Sequence, residues 1–211
     1  MILAFGGDSD MAIEAEKHFR IHRSQCDVRS YAAVSRNIKI HKPSVVICFA
    51  GVSHLQPIKG SDIVKWQDEL MVNTYGSYLV AKACVDNHVP TMIFMGSVAG
   101  LYGKPGHSGY SASKAGVISL VQSLAMEGYN AYCISPGRVN TKMRERDFPG
   151  ENPQTRLNTA VIAGVIGDIL KGRYKPGDNI IIRKRGYRQL RRVDKGEPWK
   201  TYLQVGKPVV F

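Results

Sequence analysis

Short apolar runs and helix-forming stretches take turns along almost the whole chain, and this alternation constrains the fold more than any other feature. Residues 2–5, 44–49, 91–95, 129–134 and 179–182 are apolar-rich runs of strand length, with a further candidate strand at 19–23. Between them, residues 10–18, 31–41, 63–87, 111–127 and 155–171 read as helices. Strands that are apolar at successive positions are buried on both faces. The pattern therefore predicts an α/β architecture: a Rossmann-like, doubly wound parallel β-sheet with helices on both faces, a three-layer sandwich. Ligands of such sheets bind beyond the carboxyl ends of the strands.

At 211 residues the chain is long enough for one sizeable core and short for two. Residues 1–183 are expected to form one dinucleotide-binding catalytic domain and 184–211 a basic C-terminal extension. The opening apolar run, Met1 to Phe5, is too short for a signal peptide, and no run is long enough to span a bilayer. Cys26, Cys48, Cys84 and Cys133 lie far apart, which suits free thiols in a reducing, cytoplasmic compartment. His18 and His22 have metal-like spacing but no acidic partner in the metallopeptidase pattern, so no metal site is expected.

The formal charge is +12, which favours polyanions, phosphorylated ligands or an acidic partner. It is unevenly spread: from Arg183 to Lys207 nine basic residues face two acidic ones, interleaved with Tyr187, Leu190, Trp199, Tyr202 and Leu203. Such a segment reads as a packed tail with solvated charges, as cover for an oligomer interface, or as a nucleic-acid contact through phosphates and stacking.

Three residues carry the chemistry. Ser97 follows directly on the strand ending at Met95, so it sits at the ligand edge of the sheet. Tyr110 comes thirteen residues later at the start of the next helix, and Lys114 four residues further on. That i, i+4 spacing puts phenol and ammonium on one helical face. There the cation is expected to pull the tyrosine pKa down from about 10 toward the working pH, as general acid–base work requires. The serine hydroxyl can hydrogen-bond the oxygen that gains or loses the proton.

The run Ser97, Tyr110-Ser111-Ala112-Ser113-Lys114, then Ser135-Pro136-Gly137, resembles the active-site signature of the short-chain dehydrogenases/reductases of the classical type. Met71-Val72-Asn73-Thr74 resembles the family's Asn-bearing helix motif, Ala50-Gly51 its Asn-Asn-Ala-Gly turn, and Gly6-Gly7-Asp8-Ser9-Asp10-Met11-Ala12 its cofactor glycine loop. The resemblance covers residues 1–183. It implies an NAD(P)(H)-dependent oxidoreductase that interconverts an alcohol and a carbonyl. Tyr110 would be the proton donor or acceptor and Ser97 would orient the substrate. Lys114 would bind the nicotinamide ribose and tune Tyr110, and Asn73 would hold a relay water. Pro136, Gly137, Val139 and Thr141 would join the glycine loop, Ala50 and Gly51 in holding the cofactor. Relatives pair through the helices matching residues 63–87 and 111–127, which implies a homodimer or homotetramer.

The chain also departs from the family pattern. Asp10 and Ala12 stand where the glycine loop carries glycines, and Phe49 stands where the turn carries a second Asn. Asp27, which resembles the family's adenine-contacting Asp, follows Gly6 by only about twenty residues, so the family's usual helix between the second and third strands is expected to be missing. The second strand ends in Arg20, His22, Arg23 and Ser24 with no acid, which favours NADP(H) over NAD(H). After Gly137, the polar stretch 138–154 stands where the family closes a loop over substrate. Its Arg138, Lys142, Arg144 and Arg146 fit either an anionic substrate or a soluble loop. His54 and His107 lie near the expected mouth. Two other readings remain: a cofactor-binding pseudoenzyme or scaffold, and a tail that binds nucleic acid or an acidic partner.

Overall fold

The computed structural model describes residues 1–19, 21–24, 26–184, 186–190 and 201–204, with backbone alone at 21–23, 186–190 and 201–204. Six strands, β1 (Ile2–Phe5), β2 (Ile21–Ser24), β3 (Val45–Cys48), β4 (Thr91–Met95), β5 (Ala131–Pro136) and β6 (Asn179–Arg183), pair in parallel in the order β2-β1-β3-β4-β5-β6. Two further strands, β7 (Gly186–Leu190) and β8 (Thr201–Gln204), extend the sheet antiparallel beyond β6. The aromatic and basic side chains of the tail, from Tyr187 to Lys207, lie outside the described residues, as does the side chain of Arg23.

Why the sheet is covered on both faces can be read strand by strand, because successive side chains point to opposite faces. Ile2, Ala4, Val45, Ile47, Ile93, Met95, Tyr132 and Ile134 enter one core, shared with α1 (Asp10–His18) and α7 (Ala160–Leu170). Leu3, Phe5, Val46, Cys48, Met92, Phe94, Ala131 and Cys133 enter the other. That second core is covered by α2 (Tyr31–His41), α4 (Gly76–Asp86) and α5 (Ser108–Met126), so a helix does stand between β2 and β3, where the short spacing from Gly6 to Asp27 suggested that one was missing. The Rossmann-like three-layer architecture expected from the alternation is thus the one observed.

Local signals set several boundaries. Ser9 caps α1 by accepting from the Met11 N–H, and Ser30 caps α2 in the same way through Ala33. The second strand starts two residues later than the sequence suggested. Phe19 instead ends α1 and packs against the first core, because its ring is bulky enough to fill the gap beside Gly167. The stretch 63–87 is one continuous rod of α3 (Ile63–Glu69), a π-helical segment (Leu70–Tyr75) and α4. The polar lid is partly helical, with α6 at Lys142–Asp147 capped by the Thr141 hydroxyl.

The strand order reverses between β1 and β3, and there the loops after the two strands nearly touch. Gly6 has φ +75, and a Cβ on it would lie 2.4 Å from the Ala50 nitrogen. Gly60 has the same φ with open space around it. Gly60→Ala should therefore cost only the backbone strain, about 1 kcal/mol, and Gly6→Ala roughly 2 kcal/mol or more. Urea unfolding midpoints test this; equal losses at the two sites would contradict the close approach.

Candidate active site

The carboxyl ends of the strands open on one cleft of about 470 Å³, within the range of small-molecule sites. Gly6, Gly7, Asp8, Ser9, Asp10 and Met11 line one end of it. Ala50 and Gly51 line the turn after β3, Ser97, Tyr110 and Lys114 the centre, and Pro136, Gly137, Val139 and Thr141 the wall after β5. Two expected residues are not brought to the cleft surface. Asp27 points away and is held by Arg29 through paired contacts of 2.9–3.1 Å. Asn73 lies behind the cleft, fully buried.

Asn73 acts as a clasp. Its Oδ1 accepts from the Val52 N–H at 2.8 Å, and its Nδ2 donates to the Val52 carbonyl at 2.9 Å and to the Ser113 hydroxyl at 2.9 Å. The turn after β3, the π-helical segment and α5 are thereby tied at one point. Irregular π turns of this kind concentrate at functional sites. A Cβ on Gly51 would stand 3.2 Å from both Asn73 Oδ1 and Lys114 Nζ, so a side chain there would crowd the clasp and the ammonium together.

On α5, Lys114 is only 4% exposed. Its Nζ donates to the Met95 carbonyl at 2.9 Å and lies 5.7 Å from the centre of the Tyr110 ring. Ser97, buried at the end of β4, accepts from the Ala99 N–H, and its hydroxyl lies near enough to the phenol of half-buried Tyr110 to lower its pKa. The three residues singled out from the sequence therefore meet.

Their electrostatics correct one expectation. The Tyr110 pKa is not drawn down but pushed up to about 12, by burial first, with Asp147 and Glu69 adding to the rise and the Ser97 hydrogen bond opposing it. The ammonium does not offset this. It is turned to the Met95 carbonyl, and burial lowers its own pKa. At physiological pH Tyr110 is a neutral phenol.

Glu69 carried no notice in the sequence, and the contacts of His54, His107 and Asp10 come from the fold. Glu69, 1% exposed, accepts from the His54 N–H at 2.7 Å, and burial raises its pKa. Its place four residues before Asn73 on the helix was the available signal. His54 is further held by Asp68 at 3.0 Å. His107 stacks on Phe148 with centroids 5.9 Å apart and meets the Tyr110 ring edge-on. Asp10 accepts from the Lys142 N–H at 2.7 Å, joining the glycine loop to the start of the lid helix across the cleft.

A parallel sheet that reverses at a glycine-lined loop, with a serine, a tyrosine and a buried lysine converging beyond it, defines a dinucleotide-fold protein with a hydroxyl-based proton site. A family model described as short chain dehydrogenase matches residues 9–152, and the chain belongs to that family. It is 28% identical over 159 residues to the (3R)-3-hydroxyacyl-CoA dehydrogenase of Rattus norvegicus, covering 68% of this chain and 61% of that protein. It is 31% identical over 163 residues to the 3-oxoacyl-(acyl-carrier-protein) reductase MabA of Mycobacterium tuberculosis, covering 67% and 66%. Matches to the rat enzyme and its mammalian counterparts span from 43% to 61% of those proteins' length. Among solved structures, a 3-oxoacyl-(acyl-carrier-protein) reductase from Brucella melitensis superposes with a TM-score of 0.73 at 18% identity, covering 86% of this chain and 88% of that one. Levodione reductase superposes with a TM-score of 0.75 at 19% identity, covering 86% and 95%.

Two measurements check the geometry. In the 295 nm difference titration between wild type and Tyr110→Phe, the extra phenol should ionise well above pH 10, toward 12; ionisation below pH 9 would contradict the dominance of burial. Asp10→Ala removes the acceptor for Lys142, a loss of about 1 kcal/mol by analogy with a helix cap. Amide exchange at Lys142 should then rise roughly fivefold, and unchanged exchange would refute the loop-to-lid contact.

Proposed function

We propose that the chain is a nicotinamide-dinucleotide-dependent oxidoreductase interconverting a carbonyl and an alcohol, with residues 1–183 as the catalytic unit. The observation that carries the reading is the convergence of Ser97, Tyr110 and the buried Lys114 ammonium in the same cleft as the glycine loop. The residues present fit a dinucleotide. Gly6 lets the glycine loop close against the turn after β3, and Gly51 leaves room beside Asn73 for the Lys114 ammonium, at the reversal point where dinucleotides bind. Lys114 spends one of its three N–H donors on Met95. The Asp10 carboxylate, a negative charge at the start of α1, is turned to the Lys142 N–H. Such a cofactor, when bound, supplies or accepts the hydride.

The protein's own part is proton handling. With the carbonyl oxygen between the Ser97 and Tyr110 hydroxyls, Ser97 donates a hydrogen bond as negative charge grows on that oxygen, and Tyr110 delivers the proton. Because burial keeps the phenol protonated, reduction is the direction favoured at neutral pH. Oxidation needs the phenolate and should quicken as pH rises. Lys114 holds ribose hydroxyls, and Asn73 keeps the turn after β3 in register with α5.

NADP(H) is the preferred cofactor in this reading, on the strength of the basic end of the second strand; within the described residues, Ser24 and Cys26 line that end of the cleft. The substrate is a small carbonyl or alcohol compound. The chain pairs with copies of itself through the α3–α4 rod, where Ile63 and Val64 are more than 70% exposed and Met71, Tyr75 and Tyr78 add apolar surface. Among the described residues no helix is long and apolar enough to cross a membrane, and all four cysteines are free.

Titration with NADPH and NADH in separate thermal unfolding experiments tests the assignment. A dinucleotide at a hundred times its Kd should add about 2.7 kcal/mol, a rise in Tm of roughly 5–10 °C, larger for NADPH than for NADH at equal concentration. Tyr110→Phe should keep that rise and lose turnover by about a hundredfold or more. No rise with either dinucleotide would overturn the reading, and a rise with no turnover on a broad carbonyl panel would favour the scaffold role.

A further inference from the structure

The lid cations, which from the sequence fit either an anionic substrate or a soluble loop, are largely occupied by their own lid. Arg144 bonds Glu151 through two nitrogens at 2.7 and 2.5 Å, and Arg156 bonds the same carboxylate at 3.2 Å. The Arg144 hydrogen bonds hold the Glu151 carboxyl down at about 2. Arg146 is paired with Asp147 and reaches the Ser53 carbonyl at 2.8 Å. These contacts fold the lid; they leave little charge for a ligand.

Uncompensated positive charge lies beside them. Lys104, in the loop after β4, lines the cleft, and among the described residues its ammonium makes no hydrogen bond or ion pair. Its Nζ stands 5.4 Å from the centre of the Tyr102 ring. Arg183, the last residue of β6, approaches the same ring with its guanidinium carbon at 5.5 Å. It touches the Tyr102 hydroxyl at 3.4 Å, and its buried Nε has no partner among the described residues. Arg138, after β5, lines the cleft with only a 3.3 Å contact to the Glu151 carboxylate that Arg144 and Arg156 already share. Three cations thus arrive from the ends of three adjacent strands. Burial lowers the pKa of Lys104, and the nearby Arg144, Arg138 and Arg183 push the same way. Bringing like charges together out of water is costly unless an opposite charge joins them.

We infer that Lys104, Arg138 and Arg183 form an anion subsite at the mouth of the cleft, which takes a terminal carboxylate or phosphate of the substrate. This rests on the oxidoreductase reading for its purpose, since the anion would anchor the substrate whose carbonyl lies at Tyr110. Arg138 and Arg183 supply forked donors suited to planar or tetrahedral oxyanions, and Lys104 supplies a point charge. Tyr102 is the platform on which two of the three cations rest.

The test is calorimetric titration at low salt with methyl phosphate and, in a second arm, with propionate, each with and without NADP+. Wild type should bind one equivalent of at least one probe per chain. Lys104→Gln and Arg183→Gln should each weaken it about tenfold or more. Lys171→Gln, which removes one charge beyond the end of α7, should leave the affinity unchanged. The stronger arm tells which oxyanion the site prefers. Absence of saturable binding, equal affinity in the Lys104 and Arg183 variants, or equal weakening in Lys171→Gln would overturn the subsite. None of these readouts needs turnover. Loss of probe binding beside intact dinucleotide stabilisation would sink the subsite alone, and the reverse would sink the oxidoreductase reading alone.

Discussion

Lys114 carries its ammonium into the interior of the chain, and the residues around it are arranged by the need to accommodate that charge. An ammonium taken out of water costs several kcal/mol unless polar groups replace its hydration. The Met95 carbonyl at the end of β4 supplies one such group, and the lack of a side chain on Gly51 leaves room beside Asn73 for the charge to sit. Asn73 then fixes the distance between the turn after β3 and α5 by bonding both. That clasp ties the helix that bears Tyr110 and Lys114 to the turn after β3, beside the tie that Lys114 itself makes to Met95 at the end of β4.

The two sides of the cleft are coupled as well as adjacent. Asp10, in the glycine loop, holds the first N–H of the lid helix, and Arg146 of that helix holds the Ser53 carbonyl in the turn after β3. The lid is thus fastened at both ends to segments that form the cleft floor. An acid in a phosphate-binding loop looks like a defect from the sequence; its use as an acceptor for the opposite wall gives it a structural purpose.

Much of this was legible beforehand. Apolar runs on every position predicted a buried parallel sheet, and the rule that ligands meet the carboxyl ends of strands picked out Ser97, Tyr110 and Lys114. What was not legible depends on contacts between distant parts of the chain. Asp10 and Lys142 are 132 residues apart, and neither predicts the other. The direction of the Tyr110 pKa shift was misjudged because spacing along a helix reports which charges are near, whereas desolvation depends on everything packed around the group. Lys104 drew no reading from the sequence and Arg183 stood only as the start of a basic stretch; the fold brings both onto Tyr102.

The central claim is that this cleft holds a dinucleotide against the buried ammonium, and a crystal structure of the chain grown with NADP+ tests it most directly. The account predicts density along the glycine loop from Gly6 to Met11, with ribose hydroxyls within hydrogen-bonding distance of Lys114 Nζ and the Tyr110 hydroxyl. A dinucleotide bound elsewhere on the surface, or a Lys114 ammonium that still contacts only the Met95 carbonyl, would contradict it.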